Sequence, residues 1–242
     1  MIPKETNILS ICSSFRRPHQ LPNMLDTFYS TRSLGTEILV YLHADDYSLK
    51  DYEALAPRYP WVNWLIGPHR NIQETINYIV FETHPEIPYY QIICDDHLYK
   101  TSDWGNIIIK QFEEKTKGWG FACGNDMQND DWYKWSHPSA EFWSWKMAKT
   151  LGYVYPRKMR HQGLDFYTKD LGLAVGLVFV PEVHIRHLYA AGCANPDINI
   201  LEGYTPANFE YANRMFEEWK INEKPIALQK ITAAKEAEKC VS

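Results

Sequence analysis

The run Tyr90-Gln91-Ile92-Ile93-Cys94-Asp95-Asp96-His97 decides how this chain is read. A short, mostly apolar segment of strand length ends abruptly in two carboxylates and an imidazole. Such a segment reads as a buried strand whose last residues emerge at a sheet edge. In open α/β sheets, ligands bind beyond the carboxyl ends of the strands. The three side chains there offer oxygen and nitrogen donors to a hard or borderline cation. The plainer alternative is a polar turn, because Asp is common where strands end.

Working outward, the same pattern recurs upstream. Residues 7–14 form an expected first strand, followed by the loop Phe15-Arg16-Arg17-Pro18 and a helix over 21–29. Residues 36–43 form a second strand ending in Ala44-Asp45-Asp46, with a helix over 51–59. A third strand, 62–66, closes in Gly67-Pro68-His69-Arg70 and leads to helical spacing over 71–82. Strands alternating with helices argue for a parallel, doubly wound sheet. Three of the first four strands end in charged loops, and those loops would share one edge.

Downstream, Thr101 or Ser102 is the expected cap of a helix reaching Lys115. A strand is expected over 119–123, and a helix closes at Gly152. Another helix carries Asp165 and ends near Gly172. Two paired strands are expected over 175–180 and 182–187, then helices over 208–220 and 226–239. The expected organisation is one domain over 1–204, in two halves (1–123 and 124–204), with a helical extension over 205–242.

At 242 residues, 45% hydrophobic and 23% charged, the chain has the make-up of an ordinary globular protein with a substantial core. The formal charge of −5 gives no broad footprint for polyanions, although the run Arg157-Lys158-Met159-Arg160 is locally basic. Five widely spaced cysteines without a CxxC pair fit a reducing compartment. With no secretory leader and no apolar run of spanning length, a cytoplasmic location without a membrane span is expected. Nine Trp and sixteen Tyr exceed what such a core needs, and many crowd residues 132–145, which hints at a surface that stacks on rings.

Five segments together resemble the GT-A type of nucleotide-sugar-dependent glycosyltransferase, above all its small bacteriophage-encoded forms. They are Ser13-Ser14-Phe15-Arg16-Arg17-Pro18, Ala44-Asp45-Asp46, Gly67-Pro68-His69-Arg70 with Asn77, Cys94-Asp95-Asp96-His97 followed by Thr101-Ser102-Asp103-Trp104, and His184-Ile185-Arg186-His187-Leu188-Tyr189. The resemblance implies a Rossmann-like, mixed but mostly parallel sheet flanked by helices. It also implies a hexosyl- or pentosyltransferase using a nucleotide-sugar donor, a UDP-sugar first among them, with Mn2+ or Mg2+.

By that resemblance Asp96 contacts the metal, Asp95 the ribose or a metal-bound water, and His187 supplies a ligand from the far end of the chain. His97 departs from the Asp-x-Asp pattern and is a further candidate ligand. His184 cannot share the role of His187, since an offset of three puts it on the opposite strand face. Ser14, Phe15 and Arg16 would line the donor site, Phe15 stacking on the base; Asp45 and Asp46 would accept from the base, and Arg70 would meet base or phosphate. Asp165 is the candidate catalytic base, with Leu164 where the family usually has an acid; Asp126 is its rival, and His137 a candidate proton carrier.

The acceptor implied is a hydroxyl: a hydroxymethylated pyrimidine in phage DNA, in the host cytoplasm, or a glycan or lipid-linked sugar. DNA would engage Lys134, Lys146, Arg157, Lys158 and Arg160. Sugar nucleotidyl transfer is an alternative, but Ser13 to Pro18 contains none of the glycines that a phosphate loop uses. A non-catalytic nucleotide-sugar binding module is the other.

Overall fold

The computed structural model describes residues 2–126, 140–188 and 205–240. Its first half alternates β1 (Ile8–Ser14), α1 (Leu21–Thr31), β2 (Thr36–His43), α2 (Leu49–Leu55), β3 (Asn63–Gly67), α3 (Ile72–Tyr78) and β4 (Tyr89–Ile93). A π-turn over Ile79–Thr83 prolongs α3. Then follow β5 (His97–Tyr99), α4 (Trp104–Thr116), β6 (Phe121–Asp126), β7 (Phe142–Ser144), α5 (Trp145–Leu151), α6 (His161–Val175), β8 (Leu177–His187), α7 (Pro206–Asn222) and α8 (Lys224–Lys239).

The strands form one eight-stranded sheet in the order β3-β2-β1-β4-β7-β6-β8-β5. β1 pairs in parallel with β2 and β4, and β2 with β3. β7 lies antiparallel between β4 and β6, so β6 and its parallel neighbour β8 run the same way as β1–β4. The consequence is geometric. Ser14, His43, Gly67, Ile93, Asp126 and His187 all end strands at one edge of the sheet, and β5 starts there at His97. Parallel order is thus what gathers residues far apart in sequence.

Both faces of the sheet are buried, as parallel strands require. Ile38, Val40 and Leu42 of β2 pack with Phe28, Tyr52, Trp104 and Ile108 on one side. Leu39 and Tyr41 pack with Ile76, Trp143, Met147 and Tyr167 on the other. α1 presents Leu21, Met24, Leu25 and Phe28, all buried, a stripe at helical spacing. The C-terminal helices are docked: Trp219 is buried with its ring 4.8 Å from that of Tyr167, and Lys224 pairs with Asp170 at 2.5 Å.

The structure corrects three readings of local sequence. The two strands expected over 175–187 are one, β8. Pro181 falls where its register against β6 slips between Gly124 and Asn125, and a bulge tolerates a residue that cannot donate to the ladder. Neither Thr101 nor Ser102 caps α4. Asp103 takes the N-cap position in a left-handed conformation (φ 57°) without a side-chain capping bond, while the Thr101 hydroxyl donates to Glu182 O and accepts from His184 N on β8. The helix expected over 51–59 starts at Leu49 and gives way at Ala56 to a short 3-10 turn ahead of Tyr59. Gly152 does close α5, at φ 84°.

Candidate active site

Asp96, just past β4, and His187, the last residue of β8, meet at the common edge with Nε2 3.2 Å from Oδ1. Behind His187 stands Asp126, the last residue of β6, whose Oδ1 accepts the His187 backbone N–H at 3.3 Å and whose Oδ2 lies 3.7 Å from Nδ1. Burial alone would lower the His187 pKa, but the bond to Asp96 and the charges of Asp96, Asp126 and Asp165 leave it raised. Burial pushes the Asp96 carboxyl up; the His187 hydrogen bond and the charges of His187, His97 and Arg17 overcome this and bring it to about 2. An imidazole oriented by one carboxylate and aimed at another is a common way to build a metal ligand.

Ligand atoms of Cys94, Asp96, His97 and His187 all lie within 4.8 Å of one another. Oxygen from Asp96 and nitrogen from His187 suit a divalent cation of the manganese type. The other two fit less directly. Burial holds the Cys94 thiol well above its ordinary pKa, so it stays protonated. Burial, reinforced by the charge of His187, lowers His97 to about 3, so this ring is neutral. Its Nδ1 accepts the Cys94 backbone N–H at 3.2 Å, which puts the proton on Nε2. Ligation by His97 through Nε2 therefore requires that backbone contact to be given up. In the strand, Val183, Ile185 and His187 share one face and His184 sits on the other, as an offset of three demands.

Asp95 faces inward. It is fully buried, accepts from Ser14 Oγ at 2.6 Å and pairs with the Arg17 guanidinium, which also reaches to within 3.8 Å of Asp96 Oδ2. The directions of these bonds follow by elimination. Since Ser14 donates to Asp95, Tyr52 OH donates to Ser14 Oγ at 2.8 Å, and the Arg17 backbone N–H donates to Tyr52 OH at 2.8 Å. Arg17 is thereby held at both ends. The sequence marked Arg17 only as part of the loop after the first strand, and nothing in it marked Tyr52.

A second group of side chains lies over the ends of β1, β2 and β3. Phe15 packs 5.0 Å from the His43 ring and 5.3 Å from that of His69, with the Arg16 guanidinium 4.6 Å above it. Asp45 is exposed, 3.5 Å from His69 Nδ1. Asp46 is different: it is buried, Oδ2 accepting from Arg16 N at 2.7 Å and Oδ1 from Ser48 N and Oγ at 2.8 and 2.6 Å. These bonds hold the turn and fix Arg16, which has φ 61°. Of the two acids, Asp45 is the one left open to a ligand. Burial, and then His69, lowers the pKa of His43.

Arg70 lies 4.0 Å over the Tyr78 ring and donates to Tyr41 OH at 2.7 Å. Tyr41 OH donates in turn to Pro68 O at 2.8 Å, an approach possible only beside a glycine: a Cβ on Gly67 would stand 2.2 Å from the Tyr41 hydroxyl oxygen. Asn77 is structural, its side-chain amide bonding Val154 N and Tyr155 N and O.

Asp165 sits in the second turn of α6, where burial lifts its carboxyl to about 6 while His187 pulls it down. It therefore belongs to the same electrostatic unit as His187 and Cys94. Nearby, Glu141 is buried and accepts from Tyr155 OH, Trp143 Nε1 and Thr168 Oγ1 at 2.6, 3.0 and 2.7 Å, with burial raising it to about 7. Phe142 and Trp143 are core residues and not part of an exposed aromatic surface. Arg160 stacks on Tyr211 at 4.6 Å, and Lys146 pairs with Glu238 at 3.2 Å. His137, Lys134 and the aromatic residues Trp132, Tyr133 and Trp135 lie outside the described residues.

No protein-family model matches the sequence, and no curated protein does. Solved structures do match. A mannosyltransferase, PcManGT, from Pyrobaculum calidifontis, in complex with GDP-Man and Mn2+, superposes with a TM-score of 0.62 at 15% identity, covering 98% of this chain and 76% of its own. Residues 1–349 of TarS from S. aureus with UDP-GlcNAc give 0.60 at 10% identity, covering 93% and 70%. The same TarS fragment with UDP gives 0.58 at 10% identity, covering 93% and 70%. The fold is thus of the GT-A type, a mixed, mostly parallel α/β sheet flanked by helices, shared with nucleotide-sugar glycosyltransferases. Among the described residues no helix is long and apolar enough to cross a membrane.

Proposed function

We propose that this chain is a metal-dependent glycosyltransferase that moves a sugar from a nucleoside diphosphate donor to a hydroxyl acceptor. The observation that carries the reading is the meeting of Asp96 and His187 at 3.2 Å, with Asp126 behind, where six strands end together. A divalent cation held by Asp96 and His187 would supply Lewis-acid neutralisation of the departing diphosphate. Asp126 keeps the His187 ring in place, which makes it a positioning residue. Arg17 fixes Asp95 and adds positive charge beside Asp96. Phe15 and Asp45 would hold the donor base, the ring by stacking and the carboxylate by accepting from the base.

Asp165 is the base of this proposal. A carboxylate lifted to about 6 is ionised near neutrality yet basic enough to share the acceptor hydroxyl proton as the new bond forms. Transfer should then rise with pH through about 6 and level off. GDP-mannose and UDP-N-acetylglucosamine, bound by the structural neighbours, are both hexosyl donors, which favours hexosyl transfer. The acceptor proposed for testing is a hydroxymethylated pyrimidine in DNA, with glycans and lipid-linked sugars as the comparison.

The test begins with thermal shifts in uridine and guanosine diphosphates, with and without Mn2+. A saturating diphosphate at 100 times its Kd should stabilise the fold by about 2.7 kcal/mol. Asp96→Ala should lose the Mn2+-dependent part. No metal-dependent shift with any nucleoside diphosphate would overturn the reading. Asp165→Asn should bind donor normally and transfer nothing; retained turnover would reassign the base. Mass spectrometry of each acceptor class after incubation with mixed donors identifies the product.

A further inference from the structure

We propose that His43, Asp45 and His69 form a second divalent-cation site, selective for Zn2+-like ions, whose occupation blocks the donor-base position. The second half of this statement rests on the function proposed above; the first does not. One ligand atom from each of the three residues lies within 4.8 Å of the others. His69 Nδ1 and Asp45 Oδ1 are 3.5 Å apart, and the two imidazole rings are 4.8 Å centroid to centroid. Asp45 and His69 are exposed, so an ion can enter from solvent without rearrangement of the core.

His43 supplies the independent observation. It is only 3% exposed, its Nε2 stands 3.4 Å from Ser13 Oγ, and its Nδ1 has no hydrogen-bond partner. A buried ring nitrogen left without a partner is uncommon and costs stability unless something meets it. Two imidazoles and one carboxylate are the donor set of open tetrahedral zinc sites, with water in the fourth position. The other cluster offers Asp96 oxygen to a harder ion, so the two should differ in preference. Phe15 closes one side of the group by packing on both rings. An ion there would occupy the ground between Phe15 and Asp45, where the base is proposed to lie.

The experiment uses Co2+ as a spectroscopic stand-in for Zn2+. Asp96→Ala removes the first site, and visible titration then reads the second. Asp96→Ala should bind one Co2+, and adding His69→Ala or Asp45→Asn should weaken that binding at least tenfold. Both added changes fall on exposed side chains, and the far-ultraviolet spectrum checks that the fold is kept. Equal Co2+ binding with and without His69→Ala would overturn the site. In the otherwise unaltered chain with Mn2+ present, micromolar Zn2+ should weaken uridine diphosphate binding at least tenfold, and in His69→Ala this effect should vanish. If diphosphate binds but Zn2+ leaves it unchanged, the overlap is wrong. If no diphosphate binds under any condition, the function proposed above fails while the Co2+ titration still decides the site.

Discussion

Loading a cation between Asp96 and His187 must displace the proton that His187 holds in the metal-free chain, and this fixes a pH dependence. The His187 pKa is raised above 6.5, while Asp96, at about 2, stays ionised throughout the working range. Only one proton therefore competes with the cation. Between pH 6.5 and 5.5, Mn2+ affinity should fall about tenfold, or about 1.4 kcal/mol, with a slope of one and not two. The metal-free fold behaves in the opposite sense. A base whose folded pKa is raised gives stability that is complete below about 6.5 and is lost as pH rises through the folded value. The depressed Asp96 carboxyl gives stability present above about 3.8 and lost as pH falls through about 2. In chelator, unfolding temperature should thus decline as pH rises from about 4, because the buried Asp165 and Glu141 carboxyls, lifted to about 6 and about 7, must ionise. It should decline further above about 6.5 as His187 loses its proton, and Mn2+ should abolish the His187 part of that drop. Calorimetric titration at pH 6 in two buffers of different ionisation heat counts the protons released, with close to one expected. Zero protons, or an unchanged slope in His187→Gln, would refute the pairing of these two groups in a common cation site.

Arg17→Met keeps the aliphatic stem but takes the guanidinium away from the buried Asp95 carboxylate. Breaking such a pair costs about 3–5 kcal/mol, measurable by urea unfolding; a loss below about 1 kcal/mol would mean that Asp95 is solvated. Ser14→Ala removes the acceptor of Tyr52 OH and one of the donors to Asp95, for a cost of about 2–4 kcal/mol in the same assay. Gly67→Ala must push back the Tyr41 hydroxyl, costing about 1–3 kcal/mol; its diphosphate affinity should fall too, since Arg70 rests on that hydroxyl. Asp126→Asn should preserve the fold but lower metal affinity about 10–100-fold, read by the same calorimetry; unchanged affinity would remove Asp126 from its positioning role.

Much of this molecule was legible before any tertiary contact was known. The strand over residues 36–43 is legible to the residue, because its near-continuous apolar run is buried on both faces. The acidic triplet announced itself because the apolar run stops dead at Asp95. The charged ends of β1, β2 and β4 were likewise readable as one edge, since strands joined by helices must run parallel. Where the sequence misled, the cause was non-local. Pro181 looked like a break between two strands, and only the slipped register against β6 lets one strand run through it. Thr101 has the chemistry of a cap, but its hydroxyl is claimed by β8.

Local pattern, then, determined the elements and the residue types that end them, because burial and period act over a few residues. It could not say which neighbouring acids face the solvent. Asp45 and Asp46 are adjacent and alike on paper, yet one is exposed and the other holds a turn through three hydrogen bonds. Asp95 and Asp96 divide in the same way, one locked to Ser14 and Arg17, the other turned to His187. Those assignments depend on where strands from opposite ends of the chain are laid side by side, and hydrogen-bond geometry across that contact exists only once the sheet has formed.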